Sequence, residues 1–273
     1  MNITKAIIPV AGWGTRRLPI TKSIEKCMLP VGNRPIIDYV VQDCIKAGIT
    51  DIIFVVSEQS EQIRNYYRSN IDLNDYLKRN GKSDLLDLVR PIKANLHFVV
   101  QPSYGKYGTA VPVALASTYL ESGESAVVVS GDDFIYNKDN SSEISRLISG
   151  TPEGENGIIG VVVAAGDTEV QRYGFIETDD QNNLLRIVEH PEVEPELFIK
   201  NVSKYLLNYE MIQAIADYVK TDKVAGEYGI FDTFESVLSR GSIMRMVPAN
   251  GRYLDGGTVD GWLRANQVVI GDM

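Results

Sequence analysis

The segment KAIIPVAGWGTRRLPITKSIEKCMLP, residues 5–30, joins a short apolar run to a stretch rich in glycine, proline and basic residues. Its first part, KAIIPV (5–10), has the nearly continuous apolar character of a strand that is buried on both faces of a parallel sheet. A loop that follows such a strand lies at the carboxyl edge of the sheet, where ligands bind in doubly wound folds. The segment therefore predicts an α/β fold with an anion-binding loop after the first strand.

Strand-like and helix-like patterns alternate through the first half of the chain. Apolar strand patterns recur at 51–57, 95–100 and 125–133, and amphipathic helical patterns such as 36–48 separate them. Gly48 is the expected end of that helix. This alternation predicts βαβ crossovers and hence a Rossmann-like, mixed but mainly parallel sheet flanked by helices.

The pattern changes after residue 150. Strands with short turns are predicted there, with a hairpin at DDQNN (179–183), and two helical patterns follow, EYGIFDTFESVLSRG and VDGWLRANQVVIG. We therefore predict one domain over 1–273, with a smaller β-rich extension in its second half. TPEGENG (151–157) is the best candidate for a boundary between the halves 1–150 and 151–273.

Composition excludes several classes of function. The net charge is −9 over 273 residues, whereas non-specific binding of nucleic acid or of an anionic membrane needs a basic surface. No apolar stretch reaches the length of about 18 residues expected of a membrane span, and the first residues do not resemble a signal peptide. Cys27 and Cys44 lack metal-binding spacing. We expect a cytoplasmic protein with two reduced thiols and with neither nucleic acid nor membrane as a partner.

The glycine-rich segment does not match the generic phosphate-binding motifs. It lacks GxxxxGK[ST], and Arg17 occupies the third glycine position of GxGxxG. Four basic residues nevertheless fall within eleven positions: Arg16, Arg17, Lys22 and Lys26. We interpret them as a site that neutralises several phosphate charges; the alternative is a surface turn with solvated basic side chains.

The stretch AGWGTRRLPITKSIEKCMLPVGNRP (11–35) resembles the signature of the sugar-1-phosphate nucleotidylyltransferases, and more narrowly of bacterial UTP–glucose-1-phosphate uridylyltransferases. Their loop reads roughly GxGTRxLPxTKxxPKxMLP. Further similarities follow in order over nearly the whole chain: QPSYGKYGTA, VVSGDDF, RYGFIE, RIVEHP, VSKYLL, GEYGIFDTFESVL and GRYLDGGTVDGWLRAN. The resemblance implies the nucleotide-diphospho-sugar transferase fold, with a nucleotide-binding first half and a sugar-binding second half. It also implies transfer of a uridylyl group from UTP to glucose 1-phosphate, giving UDP-glucose and pyrophosphate, with Mg²⁺ as the cofactor and a homo-oligomer, a dimer or tetramer, as the assembly.

The same resemblance implies a role for each matching residue. Arg16 and Lys26 would be catalytic, and Asp132 and Asp255 would bind the metal. The nucleotide would be held by Ala11, Gly12, Gly14, Thr15, Gln101 and Gly108. The sugar phosphate would be held by Gly174, Glu189, His190 and Lys204.

Four positions depart from the family pattern. The segment QPSYGKYGTA (101–110) resembles the loop that reads the base in the family, and we call it the base loop. In it, Lys106 and Thr109 replace a glycine and a histidine. His190 replaces a phosphate-binding lysine whose charge Lys204 could supply. Glu25 replaces a proline, which predicts a less rigid loop around Lys26. Two alternatives therefore stay open: a nucleotidylyltransferase that uses dTTP, CTP or another sugar 1-phosphate, and a non-catalytic nucleotide-sugar-binding protein.

Overall fold

The computed structural model describes residues 2–164, 174–188, 197–221 and 226–272. The strands, in chain order, are β1 (Lys5–Pro9), β2 (Pro30–Val31), β3 (Arg34–Pro35), β4 (Asp51–Ser57), β5 (Asn95–Gln101), β6 (Ser125–Val129), β7 (Asp133–Tyr136), β8 (Asn156–Ala164), β9 (Phe175–Thr178), β10 (Leu184–Val188), β11 (Leu197–Asn208), β12 (Met244–Pro248) and β13 (Arg252–Asp255). The α-helices are α1 (Ile36–Lys46), α2 (Gln62–Tyr67), α3 (Ile71–Arg79), α4 (Ala110–Ala116), α5 (Glu143–Gly150), α6 (Tyr209–Lys220), α7 (Phe231–Leu238) and α8 (Val259–Gly271).

One large sheet runs through both halves of the chain. Its main path has the order β10-β9-β11-β6-β1-β4-β5, and β8 joins it by pairing with β11 and β12. Strands β6, β1, β4 and β5 are parallel, whereas β11 is antiparallel to β6, β8 and β9. The predicted Rossmann-like mixed sheet with a β-rich extension is confirmed.

The central strand β4 explains why the apolar runs are continuous. Its residues Ile52 to Val56 are all fully buried. Ile52, Phe54 and Val56 belong to the core on the side of α1, and Ile53 and Val55 belong to the core on the side of α4 and α6. Since helices cover both faces of the sheet, alternate side chains enter two different cores and neither set can be polar.

Several local expectations are confirmed in the turns. Gly48 follows α1 with φ 89°, the left-handed conformation of a helix-terminating glycine. The DDQNN segment joins antiparallel β9 and β10. In that turn, Asp179 accepts hydrogen bonds from the backbone N–H groups of Gln181 (2.9 Å) and Asn183 (2.8 Å), which is the usual role of aspartate in a turn.

Other elements differ from the sequence-based expectation. The sequence pattern between residues 58 and 79 favours one helical stretch, but the structure has two helices, α2 and α3, because Arg68 between them is extended (ψ 151°). The segment after Asp132 is the short strand β7, which pairs with β13 in a separate two-stranded sheet. Helix α6 was not predicted at all. Among the described residues, none of the helices has the length and apolar character needed to cross a membrane.

Cys27 and Cys44 are free and buried. Burial raises the pKa of both thiols well above its ordinary value. Both cysteines are therefore unreactive at neutral pH, as expected of structural thiols.

Asn156 joins three elements of the second half, and we predict that Asn156→Ala lowers the free energy of unfolding by about 1–3 kcal/mol. Its side chain is fully buried, accepts from the Asn208 N–H (2.9 Å) and donates to the Ser242 hydroxyl (3.1 Å). The substitution leaves buried polar groups without partners, and urea unfolding measures the loss. Asn95→Ala, which removes one exposed hydrogen bond to Asp51, is the control and should change stability by less than about 0.5 kcal/mol. Equal losses of stability in the two variants would contradict the role of Asn156 in joining these elements.

Candidate active site

A cleft of about 420 Å³ opens at the carboxyl edge of the parallel strands. It is lined by the segment Pro9–Gly14 after β1, by Ser57 and Gln101 at the ends of β4 and β5, and by Ser130 after β6. Strand β6 lies on one side of β1 and β4 lies on the other. The cleft therefore occupies the topological switch point, the usual ligand site of doubly wound sheets.

Most of the residues proposed from sequence to bind nucleotide lie in this one cleft. Those that line it are Ala11, Gly12, Gly14, Gln101 and Gly108, together with Lys26, proposed as catalytic, and Asp132, proposed as a metal ligand. Thr15 and Arg16 are exposed and lie in the short 3-10 turn (Thr15–Arg17) that follows Gly14 directly. Residues from the first third and from the middle of the chain therefore meet at one place.

Gly14 has a conformation that requires glycine. Its φ is 63°, in the left-handed region, and a Cβ at this position would lie 3.0 Å from Thr21 Cγ2 and 3.1 Å from Lys26 Cβ. The glycine thus allows the loop to turn closely over the side chain of Lys26.

Lys26 and Asp132 form an ion pair across the cleft, and the Ser130 hydroxyl donates a hydrogen bond to the same carboxylate. Burial opposes the ionisation of Asp132. The positive charge and hydrogen bond of Lys26, with the Ser130 hydroxyl, nevertheless hold the pKa of Asp132 below its usual value. Asp132 is therefore an anion at neutral pH, the form that a metal ligand requires.

Asp255 belongs to the same cluster. It lies opposite Asp133 in the β7–β13 pairing and accepts a hydrogen bond from the Gly257 N–H at 2.6 Å. A Cβ at Gly257 would lie 2.8 Å from Asp255 Oδ1 and 3.2 Å from Lys26 Nζ. Asp255 and Lys26, the partner of Asp132, therefore both lie close to Gly257.

These carboxylates suit a magnesium ion that is only partly held by protein. Across the residues that the structure describes, no group of three or more His, Cys, Asp or Glu side chains could enclose a metal by itself. Mg²⁺ commonly binds through one or two carboxylates, with water and substrate phosphates completing the octahedron. Asp132 and Asp255 provide oxygen ligands of the kind that such an ion takes.

A second charged cluster lies behind the carboxylates, on β11. Lys204 is 2% exposed and donates to Asp133 at 2.5 Å and to the Val202 carbonyl at 3.2 Å. Burial raises the pKa of Asp133 to about 6, although the neighbouring Lys204 charge acts in the opposite direction. Burial also lowers the pKa of Lys200, which lies 4.1 Å from the centre of the Tyr253 ring, to about 8.

The predicted sugar-phosphate residues are only partly described. Gly174 lies beside β11, where its carbonyl accepts from the Asn201 N–H at 2.9 Å. In this structure the Lys204 ammonium faces Asp133, so its assignment to a sugar phosphate stays a prediction. Glu189 and His190 lie outside the described residues. Ser203, which precedes Lys204 in VSKYLL, has φ 51°.

The basic cluster of the first loop does not act as one unit. Arg17 is 4% exposed; its guanidinium donates to the Thr258 carbonyl and lies 5.3 Å from the centre of the Trp262 ring. The expectation that it neutralises phosphate is therefore wrong. Trp262 also donates from its indole nitrogen to the Pro30 carbonyl at 2.6 Å. Helix α8 thus holds the loop at two points, and Arg17 is one of the anchors.

The base loop is tied to a distant segment by the two residues that depart from the family pattern. The Lys106 ammonium donates to the carbonyl oxygens of Val219 (2.7 Å) and Thr221 (2.8 Å), at the carboxyl end of α6. The Thr109 hydroxyl accepts from the Ile230 N–H at 3.0 Å. A cation at a helix carboxyl end is favourable because the last carbonyls lack partners within the helix. Both replacements therefore hold the loop in place.

Gly108 makes the closest approach in the same region. Its φ is 121°, and a Cβ there would lie 2.5–2.9 Å from backbone atoms of Tyr228. The Tyr228 N–H donates to the Tyr107 carbonyl at 2.9 Å, and the Tyr228 carbonyl accepts from the Ala110 N–H at 2.9 Å. Segment 227–230 thus packs against residues 107–110, and its first residue, Glu227, lines the cleft.

Sequence reasoning missed several residues of the cleft and its surroundings. Those that line the cleft are Ser57, Tyr107, Ser130 and Glu227, and Lys200 lies behind Asp255. Ser57 could have been found, since it ends a predicted strand at the same edge as Gln101. Glu227 could not, because no local pattern indicates that the start of the α7 segment folds against the base loop.

We predict that Gly14→Ala lowers the free energy of unfolding by about 1–2 kcal/mol, because alanine pays the steric penalty of the left-handed conformation. The new methyl group would also contact Thr21 and Lys26. Urea unfolding measures the effect. Gly12→Ala is the matched control, since a Cβ at Gly12 meets nothing within 4 Å. A Gly14→Ala protein as stable as Gly12→Ala would contradict the prediction.

We predict that Lys106→Ala loosens the base loop, because the loop then loses its bonds to α6. Hydrogen exchange of the amides in 102–109 should become faster, and the free energy of unfolding should fall by about 1–3 kcal/mol. Lys220→Ala is the control at the same helix end, since the exposed Lys220 ammonium pairs with the exposed Asp217 carboxylate of α6 itself. Unchanged exchange in Lys106→Ala would show that the contacts to α6 do not hold the loop.

Comparison with known proteins agrees with this geometry. Residues 5–270 match the nucleotidyl transferase family. A UTP–glucose-1-phosphate uridylyltransferase of Staphylococcus saprophyticus is 32% identical over 88% of this chain and 83% of its own length. A Methanocaldococcus jannaschii protein provisionally given the same name is 33% identical, over 97% and 92%. The UTP-bound UGPase of Acinetobacter baumannii has a TM-score of 0.83 and 27% identity, covering 98% of this chain and 93% of that one. Because the match runs from β1 into α8 and includes every loop of the cleft, the chain belongs to the nucleotidyl transferase family.

Proposed function

We propose that the protein transfers a uridylyl group from UTP to glucose 1-phosphate and so produces UDP-glucose and pyrophosphate. The observation that carries the proposal is the cleft at the switch point, where the glycine-rich loop, Lys26, Asp132 and Gln101 face one space. The names of the two uridylyltransferase relatives and the UTP-bound structural neighbour support the same reaction.

The reaction needs positioning and charge neutralisation more than it needs a general base. A phosphate oxygen of glucose 1-phosphate, already an anion, attacks the α-phosphorus of UTP. A new P–O bond forms, the bond from the α-phosphorus to the bridging oxygen breaks, and pyrophosphate leaves with the bonding electrons. Such transfers are accelerated by holding two polyanions in line and by neutralising the charge on the phosphate oxygens.

The residues of the first loop would perform these tasks. The backbone N–H groups around Gly12, Gly14 and Thr15 would hold the triphosphate, as glycine-rich turns do in other phosphate sites. Arg16, exposed at the loop tip, would contact the β- and γ-phosphates and stabilise the leaving pyrophosphate. Lys26 would contact the α-phosphate and stabilise the charge on its oxygens in the transition state.

The metal that we propose is Mg²⁺, held by Asp132 and Asp255. When bound, it would neutralise oxygens of the phosphates that react. The lowered pKa of Asp132 supports this assignment, because the carboxylate stays ionised without a metal. We also propose a homo-oligomer, dimer or tetramer, as its assembly.

For the base and the sugar, we propose that Gln101 and Gly108 contact uracil. Gly174 and Lys204, with Glu189 and His190, would contact the sugar phosphate. The case for dTTP or CTP depended on Lys106 and Thr109. The Lys106 ammonium is engaged by α6, and the Thr109 hydroxyl by Ile230. Neither contact favours another base, and the names of the two relatives and of the UTP-bound neighbour support UTP as the donor.

Pyrophosphate release is the direct test. We expect release only when UTP, glucose 1-phosphate and Mg²⁺ are all present, and a slower reaction with dTTP, CTP, ATP and GTP. Lys26→Ala should lower kcat at least about 100-fold, because it removes a contact made to the transition-state charge. Asp132→Asn should lower the apparent affinity for Mg²⁺.

The matched control is Lys22→Ala in the same basic segment, which should keep nearly normal turnover because Lys22 is exposed and outside the cleft lining. Faster turnover with another nucleotide would confirm the chemistry but overturn the donor. Tight binding of UDP-glucose with no turnover under any metal would favour the non-catalytic alternative.

A further inference from the structure

We infer that Glu25 and Gln62 form a clasp that positions Lys26 for catalysis. The clasp is the set of hydrogen bonds that joins residues 23–25 of the first loop to Ser60 and Gln62 at the start of α2. Glu25 and Gln62 are thus positioning residues, and their kinetic role rests on the function proposed above for Lys26.

The clasp is reciprocal. The Glu25 N–H donates to Gln62 Oε1 at 2.9 Å, and the Gln62 N–H donates to Glu25 Oε1 at 2.8 Å. The second carboxylate oxygen of Glu25 accepts from the buried Ser60 hydroxyl at 2.6 Å. The Gln62 side-chain amide donates to the Ser23 carbonyl at 2.8 Å. Each side chain binds the backbone of the other segment, and bonds to a carboxylate are among the strong ones.

Helix α2 provides a rigid base for the clasp. Ile63 is fully buried, Tyr67 is 7% exposed, and the Tyr67 ring stacks on Phe54 of β4 with centroids 5.9 Å apart. A helix packed in this way does not move independently of the sheet. The clasp therefore fixes the loop to the core of the molecule.

Lys26 follows the clasp directly and begins a 3-10 turn (Lys26–Met28). The Glu25 carbonyl accepts from the Met28 N–H at 2.8 Å, and Cys27 is 3% exposed, so the backbone on both sides of Lys26 is fixed. A lysine side chain has a flexible four-carbon stem. A fixed Cα and the close contact with Gly14 restrict where its ammonium can reach.

The clasp restricts the loop by hydrogen bonds at a position where the family pattern restricts the backbone by a proline. The sequence predicted a less rigid loop, because Glu25 stands where the family pattern has proline. The structure contradicts that expectation: Glu25 has φ −57°, a value that proline would also adopt, and hydrogen bonds hold it there. The α8 anchors at Arg17 and Pro30 lie farther along the chain from Lys26 than Glu25 does.

The kinetic test compares Glu25→Ala with the wild-type protein in pyrophosphate release. We expect kcat to fall by about 10- to 100-fold, since a displacement of about 1 Å of a catalytic group has an effect of that size. KM for UTP should change by less than about 2-fold, because Lys26 acts mainly in the transition state. Gln62→Ala should give a smaller fall, since its backbone N–H can still reach Glu25.

A role through Lys26 makes a distinct kinetic prediction. In a Lys26→Ala background, adding Glu25→Ala should not lower kcat further, because the positioned group is already gone. Glu25→Gln should restore most of the rate, since glutamine can accept from the Gln62 N–H and donate to the Ser60 hydroxyl. Additive losses in the double variant, or no rescue by glutamine, would overturn the inference.

A purely structural effect is measured by a matched control and by hydrogen exchange. Asn70→Ala removes a side chain that accepts from the Leu73 N–H (3.0 Å) at the start of α3, and it should leave kcat unchanged. Amides of residues 23–28 should exchange at least about 10-fold faster in Glu25→Ala than in Asn70→Ala. Unchanged exchange would overturn the clasp itself. If Glu25→Ala alters the exchange but the wild-type protein has no turnover, the proposed function is overturned and the clasp is not.

Discussion

The contact between Lys26 and Asp132 is the constraint on which the site depends. The two residues are separated by 106 positions in sequence, and they meet because β1 and β6 are adjacent and parallel, so that their following loops leave the same edge of the sheet. A carboxylate that is only partly accessible to water is stabilised by a partner of opposite charge. Lys26 supplies that charge and lines the cleft, where we propose that a nucleotide phosphate binds.

Everything around that contact holds the first loop in one conformation. Gly14 permits the close turn over Lys26, Arg17 joins the loop to the start of α8, and Glu25 joins it to α2. The anchors belong to three different parts of the chain. A catalyst that works by positioning polyanions needs such support, because charge stabilisation depends on groups that are already in place when the reaction begins.

Departures from the family pattern have structural roles where the structure describes them. Lys106 binds the carboxyl end of α6, Thr109 accepts from Ile230, and Glu25 binds the start of α2. Each is a hydrogen bond over a long distance in sequence, made by a residue that replaces a glycine, a histidine or a proline. Although the chain is acidic, Lys26 presents its positive charge to the cleft. Arg17 and Lys204 are instead buried and bind other groups of the same chain.

The sequence by itself determined the alternation of strands and helices in the first half, the edge of the sheet that carries the site, and the cleft residues of the first loop together with Gln101, Gly108 and Asp132. These follow from local causes: continuous apolar runs mark strands covered on both faces, and loops after parallel strands share one edge. Tertiary structure alone decided that Arg17 turns inward, that β7 pairs with β13, that Glu227 reaches the cleft, and that Glu25 binds the start of α2. In each case the partner lies tens to hundreds of residues away, and no local pattern of charge or hydrophobicity specifies which distant backbone group a polar side chain will meet.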